Sequence, residues 1–305
     1  DEPAVVGYDL INEPNFGVSV GLSQTLLMGR YYTQALRAIR SAEKSVTNGF
    51  SHVAFVEPSV EWSAFGVTLP PLGLFLLDDN IVFAPHLYAG SITVTGTITS
   101  GYQAASKVAT LYRTPFWSGE WGWFGEPAQT EPQIWAYAQQ EDAYRIGGAV
   151  WQWKQACGDP HSQGVRNGRE VVGEQYQVTV TLCPGDTALG VSPAYARVLS
   201  RARPLHAPGD LVALSSDPYR GVMTLEGRSE EPGALVLWVP AQDYSVMDNG
   251  TMDKSSIGKN SIGKSRTHSG PPVVSGGSEL VREKVSGGYR ITLNVSGNYQ
   301  VRVDY

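Results

Sequence analysis

The sequence predicts an α/β fold over residues 1–205, with a parallel sheet, followed by a small antiparallel β-sandwich over 206–305. Three observations carry this. In the first part, short apolar runs alternate with longer stretches whose apolar residues recur at helical spacing, the pattern of parallel βαβ units. Those short runs are apolar almost throughout, as strands buried on both faces are. After Pro204 the helical spacing disappears, and alternating segments separated by Gly, Pro and Ser take over.

In chain order, strands are expected at 5–11 (VVGYDLI), 52–57 (HVAFVE), 81–86 (IVFAPH), 115–119 (PFWSG) and 148–153 (GAVWQW). Helices are expected at 22–47, 101–112 and 131–146, where apolar positions keep helical spacing. A last helix is expected at 192–203, with Ser192 as N-cap and Pro193 at the first helical position. Beyond it, LVALSSD, GVMTLEGR, ALVLWVPA, ELVREKVSG, YRITLNVSG and NYQVRVDY read as six short strands. The polar, Gly- and Ser-rich run 248–276 reads as a long exposed loop.

Composition narrows the function. A net charge of −6 lacks the basic footprint that nucleic-acid binding requires, so no nucleic-acid partner is expected. No run of about 18 apolar residues reads as a membrane-spanning helix. The 8 Trp and 15 Tyr suffice for a sugar-binding groove as well as for a large core. Cys157 and Cys183 sit in loop-like flanks, QACGDP and TLCPGD, and are read as a disulfide. Such a bond forms in an oxidising compartment, which points to a secreted, extracellular protein.

The chemistry gathers where the strands end. The first strand runs into Asn12-Glu13, the second into Glu57-Pro58, the third into Pro85-His86-Leu87-Tyr88 and the fourth into Gly119-Glu120-Trp121. The fifth ends in Trp151-Gln152-Trp153-Lys154. In a (β/α)8 barrel the active site is built from the carboxyl ends of several strands. Two carboxylates stand out, Glu13 and Glu120, far apart in sequence and each at a strand end. Glycoside hydrolysis needs such a pair, one as proton donor and one as nucleophile or base. A capping role for Glu13 and a turn position for Glu120 are the plainer alternatives. His52 and His161 lack metal-ligand spacing, so neither a catalytic metal nor any other cofactor is expected.

LINEPNFG, APHLY, SGEWG and GAVWQWK, in this order, resemble the motifs of glycoside hydrolase family 5, whose members are retaining (β/α)8-barrel enzymes. The resemblance covers residues 1–205 and implies the role of each motif residue. Glu13 would be the acid/base and Glu120 the nucleophile. Asn12 would contact the sugar 2-hydroxyl, and His86 and Tyr88 would surround the nucleophile. Trp151 or Trp153 would form a sugar platform, with Lys154 as a polar contact to sugar hydroxyls. Glu57 is read equally as a substrate contact or a structural carboxylate. Retention implies carboxyls about 5–5.5 Å apart.

Within the family the motifs look most like those of endoglycoceramidases. The expected substrate is therefore a glycosphingolipid, cleaved between its oligosaccharide and ceramide, with peripheral contact to a lipid surface. The apolar run 62–77 (WSAFGVTLPPLGLFLL) is read either as a wall for the lipid on the active-site face, continued by Trp121, Trp123 and Phe124, or as cover for the core or a domain interface through Leu69, Leu72, Leu74, Phe75 and Leu76. The alternatives are a family 5 polysaccharide hydrolase acting on oligosaccharides, of the endo-β-1,4-glucanase kind, and a non-catalytic carbohydrate- or lipid-binding protein. By comparison with the family, the motifs correspond to barrel strands 4–8. The chain thus reads as a carboxyl-terminal fragment whose partner, carrying strands 1–3 of the same barrel, lies before Asp1.

Overall fold

The computed structural model describes residues 2–15, 21–66, 68–92, 95–123, 129–152, 193–241 and 271–305. The chain divides into two compact units, Asp1–Gly190 and Val191–Tyr305.

Among its described residues the first unit carries five parallel strands: β1 (Gly7–Asp9), β2 (Val53–Val56), β3 (Ile81–Phe83), β4 (Ser118–Trp121) and β5 (Gly148–Val150). β1, β2 and β3 pair in that order, β4 pairs with β5, and parallel bridges Phe83–Phe116 and His86–Glu120 join the two sets. Neighbours in sequence are therefore neighbours in space, as in a barrel of βα units. The helices are α1 (Leu22–Ser45), α2 (Val60–Phe65), α3 (Ile98–Tyr112) and α4 (Thr130–Tyr144).

α1 buries Met28, Tyr32 and Leu36, four residues apart and so on one face, against Ala54, Val56 and Ile81 of the sheet and Phe75. Tyr102 of α3 is fully buried among Phe116, Tyr137 and Tyr144. Burying side chains of this size contributes about 1.5–3 kcal/mol each. α3 starts on a capping box between Thr97 and Ser100, and ends on Arg113 in the left-handed conformation, φ 56°. α2 is one short segment, capped by Ser59 and closed by left-handed Gly66.

The run 62–77 departs from the lipid-wall reading, while Phe75 and Leu76 follow the alternative of covering the core. After α2 the chain descends along the flank of α1. Thr25 Oγ1 donates to Leu69 O, Phe75 N donates to Thr33 Oγ1, and Arg40 pairs with Asp78 at 2.8 Å. The contacts move from the amino end of α1 to its carboxyl end as the chain runs from 69 to 78. At the crossing the backbones nearly touch, and a Cβ on Gly29 would sit 1.8 Å from Leu72 O. A 3₁₀ turn, Leu74–Leu77, completes the descent. Residues 72–77 are thus the return connection to β3 and not a wall at the carboxyl ends of the strands. Phe75 is core, while Leu74 and Leu77 face outward, 59% and 79% exposed. Apolar content signalled burial or binding but carried no direction. Pro70, Pro71 and Gly73 bar the helix that would have made the connection legible.

The second unit comprises α5 (Pro193–Leu199), β6 (Arg203–His206), β7 (Asp210–Asp217), β8 (Val222–Pro240), β9 (Val273–Ser275), β10 (Ser278–Val285) and β11 (Gly288–Asp304). Among the described residues all its strand pairs are antiparallel. The sheet is built on β8 and β11, which pair along nearly their whole length, with β6 and β7 beyond β8, and β9 and β10 beyond β11. Odd-numbered residues point inward: Met223, Leu225, Leu235, Leu237 and Val239 meet Ile291, Leu293, Val295, Val301 and Val303 in one core. GVMTLEGR and ALVLWVPA, expected as separate strands, are one strand, and so are YRITLNVSG and NYQVRVDY. Pro232-Gly233 and Gly297 mark a register shift between Val295 and Gly297 and not turns. β9 lies inside the run expected to be loop, and the helix expected to reach residue 203 ends at Leu199, Arg203 opening β6.

Candidate active site

Strand order brings the carboxyl ends of β1 to β4 side by side, and His86 stands at their centre, 2% exposed. Its Nδ1 lies 2.8 Å from Glu13 Oε1 and 3.2 Å from Glu120 Oε2, and its Nε2 lies 3.2 Å from Glu57 Oε1. The ring rests on Gly119, where a Cβ would come within 3.0 Å of His86 Cδ2 and 2.9 Å of Ala84 O. Only glycine leaves the imidazole room beside the nucleophile's strand. The His86–Glu120 bridge and the 2.7 Å bond from Leu87 N to Glu120 O lock the two strand ends in register.

Glu13 adopts φ 44°, a conformation that side-chain-bearing residues rarely take. Its N–H donates to Glu57 Oε2 at 2.9 Å, which holds the turn. Glu57 is 2% exposed and faces inward. It thus aligns Glu13 and His86, the structural alternative of the two read from sequence. Tyr32 of α1 donates to the Glu57 carbonyl at 2.8 Å, tying the strand end to the helix. Tyr88 Oη donates to Glu120 Oε2 at 3.0 Å.

The electrostatics follow from this crowding. Burial alone would lower the His86 pKa. Hydrogen bonding to Glu13 and Glu57, with the charges of Glu57 and Glu120, outweighs burial and lifts it to about 10. Burial pushes the Glu120 carboxyl above its ordinary value, and the neighbouring Glu13 and Glu57 charges add to this. The His86 charge and the Tyr88 hydrogen bond pull it back. The tyrosine thus favours the anion as expected, but burial prevails. Burial and the Glu120 charge push the Tyr88 phenol far up, so it stays a donor.

The structure brings Glu13, His86, Tyr88 and Glu120 together. Asn12 is exposed beside Glu13, and Trp151 is half-buried at the end of β5, its N–H donating to Trp121 O at 2.8 Å. Trp121 and Trp123 do not line an open apolar wall. Both are buried, Trp121 stacked on Tyr137 with ring centroids 4.9 Å apart. Trp153, Lys154, Phe124 and the Cys157–Cys183 pair lie outside the described residues. One residue that sequence reasoning missed is Asp9 on β1, hydrogen-bonded to Glu57. Its signal was a lone charge inside an otherwise apolar strand. One donor atom from each of Glu13, His86 and Glu120 lies within 4.8 Å of the others, so these three could also share a cation.

The family model for cellulase (glycosyl hydrolase family 5) matches residues 1–157. Among solved structures, an endogalactoceramidase is 34% identical with a TM-score of 0.78, the match covering 99% of this chain and 58% of that one. Endo-glycoceramidase II from Rhodococcus sp., in complex with a cellobiose-like imidazole, is 17% identical at TM-score 0.67, covering 100% and 60%. Sterylglucosidase 1 from Cryptococcus neoformans is 13% identical at 0.55, covering 90% and 44%. The last two likenesses show the fold. The chain spans about three fifths of the length of the two ceramidase structures. The search of curated proteins found no match.

Proposed function

Because the chain belongs to glycoside hydrolase family 5, we propose that it carries the catalytic pair of a retaining endo-acting glycosidase that separates oligosaccharide from ceramide in glycosphingolipids. The observation behind the mechanism is the approach of Glu13 and Glu120, with a carboxylate oxygen of each within 4.8 Å. Retaining enzymes place their carboxyls about 5–5.5 Å apart, whereas inverting enzymes leave about 6.5–9.5 Å for a water.

In this reading Tyr88 and His86 hold Glu120 Oε2, and Oε1 attacks the anomeric carbon. Glu13 gives its proton to the departing oxygen. Esterification removes the Glu120 charge and leaves His86 beside an ionised Glu13, which then takes a proton from water as that water opens the glycosyl ester. Asn12 and Lys154 contact the sugar, and Trp151 or Trp153 forms its platform. An activated 2-fluoro-glycoside should add one sugar mass to the peptide holding Glu120. Glu120→Gln should end turnover while sparing substrate binding, and normal turnover by that variant would remove the assignment.

The ceramide aglycone rests on likeness to the endogalactoceramidase. Product analysis on a panel of fluorescent glycosphingolipids should show intact oligosaccharide released. Cleavage of cello-oligosaccharides with the glycolipids untouched would favour a polysaccharide hydrolase, the reading that the cellulase description of the family model supports.

The same proposal includes a partner for β1. Among the described residues β1 pairs with β2 alone, and Val6 and Tyr8 are exposed, as are Leu22, Leu26 and Tyr31 of α1. An unpaired edge flanked by apolar side chains is a template for pairing. Further βα units of the barrel fit it. Residues 1–305 turning over substrate unaided would refute this.

A further inference from the structure

We propose that Ser91 is a positioning residue of the active site: its hydroxyl ties the turn after Tyr88 to the strand end that carries Glu120, and so sets the reach of the phenol to the nucleophile. The inference deepens the glycosidase reading and rests on it for the meaning of the site, but not for the tie itself.

From Glu120 onward, three successive carbonyls are held from alternate sides. Glu120 O accepts from Leu87 N at 2.7 Å, Trp121 O from Trp151 N at 2.8 Å, and Gly122 O from Ser91 Oγ at 2.7 Å. The first and third donors come from the chain after β3, the second from the end of β5. In a parallel ladder the bonds to one neighbour recur two residues further along, so the next bond from the β3 side falls on Gly122 O. The chain after β3 has turned by then. Ser91 N donates to Tyr88 O at 2.9 Å, closing a turn. Gly90, with φ 77°, takes its third position, where a type II turn requires a positive φ. The backbone thus leaves the ladder at Tyr88, and a side-chain hydroxyl carries the bonding one step further.

This closes a ring of contacts around the nucleophile. It runs from Tyr88 through the turn to Ser91, across to Gly122, and back along the strand to Glu120. The 3.0 Å bond from Tyr88 Oη to Glu120 Oε2 completes it. Gly122 is buried and has no side chain to hold it, so its carbonyl is the handle by which this strand end is fixed. Without the Ser91 hydroxyl, the turn and the strand end can slide apart beyond Leu87, and the phenol loses its aim. Ser91 therefore acts through Tyr88.

The test compares Ser91→Ala, which removes the hydroxyl, with Ser91→Thr, which keeps it. Gly122-Trp123 is the one Gly-Trp step in residues 1–305, so labelling with 13C-carbonyl glycine and 15N-tryptophan reports on that carbonyl. Its resonance should shift in S91A and keep its place in S91T. This measurement needs no substrate and stands whether or not the protein cleaves glycosides. In the full-length enzyme, S91A should lose about tenfold in kcat, the effect of one hydrogen bond, with KM changed by less than about twofold. S91T should recover to within about threefold of wild type. In a Tyr88→Phe background S91A should cost less than about threefold, because the phenol it aims is already gone. An unmoved Gly122 resonance in S91A, an equal loss in both backgrounds, or S91T as slow as S91A would overturn the proposal. A wild type that cleaves no glycoside would end the glycosidase reading and leave the tie to be judged by the carbonyl resonance.

Discussion

Replacing Tyr88 by Phe removes the phenol hydroxyl that donates to Glu120 and keeps the ring. The ring stays, 7% exposed, so packing is preserved. What disappears is the 3.0 Å bond from Tyr88 Oη to Glu120 Oε2, leaving that oxygen with His86 at 3.2 Å. A buried hydrogen bond to a charged acceptor contributes about 1.5–3 kcal/mol. At about 1.36 kcal/mol per tenfold, kcat/KM should fall roughly 10- to 150-fold. The sign of the pH effect follows from the charges. Glu120 already titrates above its ordinary value because of burial, and the tyrosine is one of two groups holding it down. Its loss lets the carboxyl rise further, so the acidic limb of the profile should move to higher pH. The assay is hydrolysis of an aryl glycoside or a fluorescent glycosphingolipid across the acid-to-alkaline range. Unchanged kcat/KM and an unmoved acidic limb would refute the claim that the phenol sustains the nucleophile.

Other outcomes follow from packing and charge. Gly29→Ala gains about 1 kcal/mol in helix propensity, but its Cβ would collide with Leu72 O. Net destabilisation in denaturant titration is expected, and stabilisation would mean the return segment yields freely. Leu237→Ala, fully buried in the β8–β11 core, should lower the stability of the second unit by about 2–5 kcal/mol, read as a shift in urea midpoint. His86 has its folded pKa raised to about 10 from an ordinary value of 6.5. Its contribution to stability is therefore complete below about 6.5 and is lost as pH rises toward 10. Thermal midpoints should decline across that window in wild type and less so in His86→Asn, and equal slopes would contradict the buried cation. Peptide mapping without reductant should recover Cys157 joined to Cys183, and free thiols there would end that reading.

The site was legible because its chemistry sits at strand ends, where one polar residue after an apolar run stands out. Glu13, His86, Tyr88 and Glu120 could each be read that way, and strand order then brought them together. Glu57 was visible, but its role was not, since nothing local says whether a carboxylate turns toward substrate or toward a neighbour's N–H. Asp9 was hidden by its company, because one acid in VVGYDLI weakens an apolar pattern without breaking it. The return segment along α1 was misplaced for a different reason. A chain without helical or strand period leaves no trace of where it runs, and Gly29, which permits the close pass, reads as an ordinary helix glycine. In the second unit Pro232-Gly233 carried a turn signal that the paired strands override, since cross-strand hydrogen bonds outside the bulge persist on both sides of it.

The continuity of β8 and β11 has a bearing on how that unit fails. Each strand serves both ends of the sheet, and the side chains from both ends meet in a single core. Each end carries further strands, β7 and β9 at one and β6 and β10 at the other, but all of them rest on β8 and β11. Loss of order at Met223 and Val303 must propagate past the bulge to Leu237 and Ile291, so melting is all-or-none. A peptide bond cut near Pro232 or Gly297 would sever both ends at once, and the unit offers no internal seam at which it could be divided or recombined.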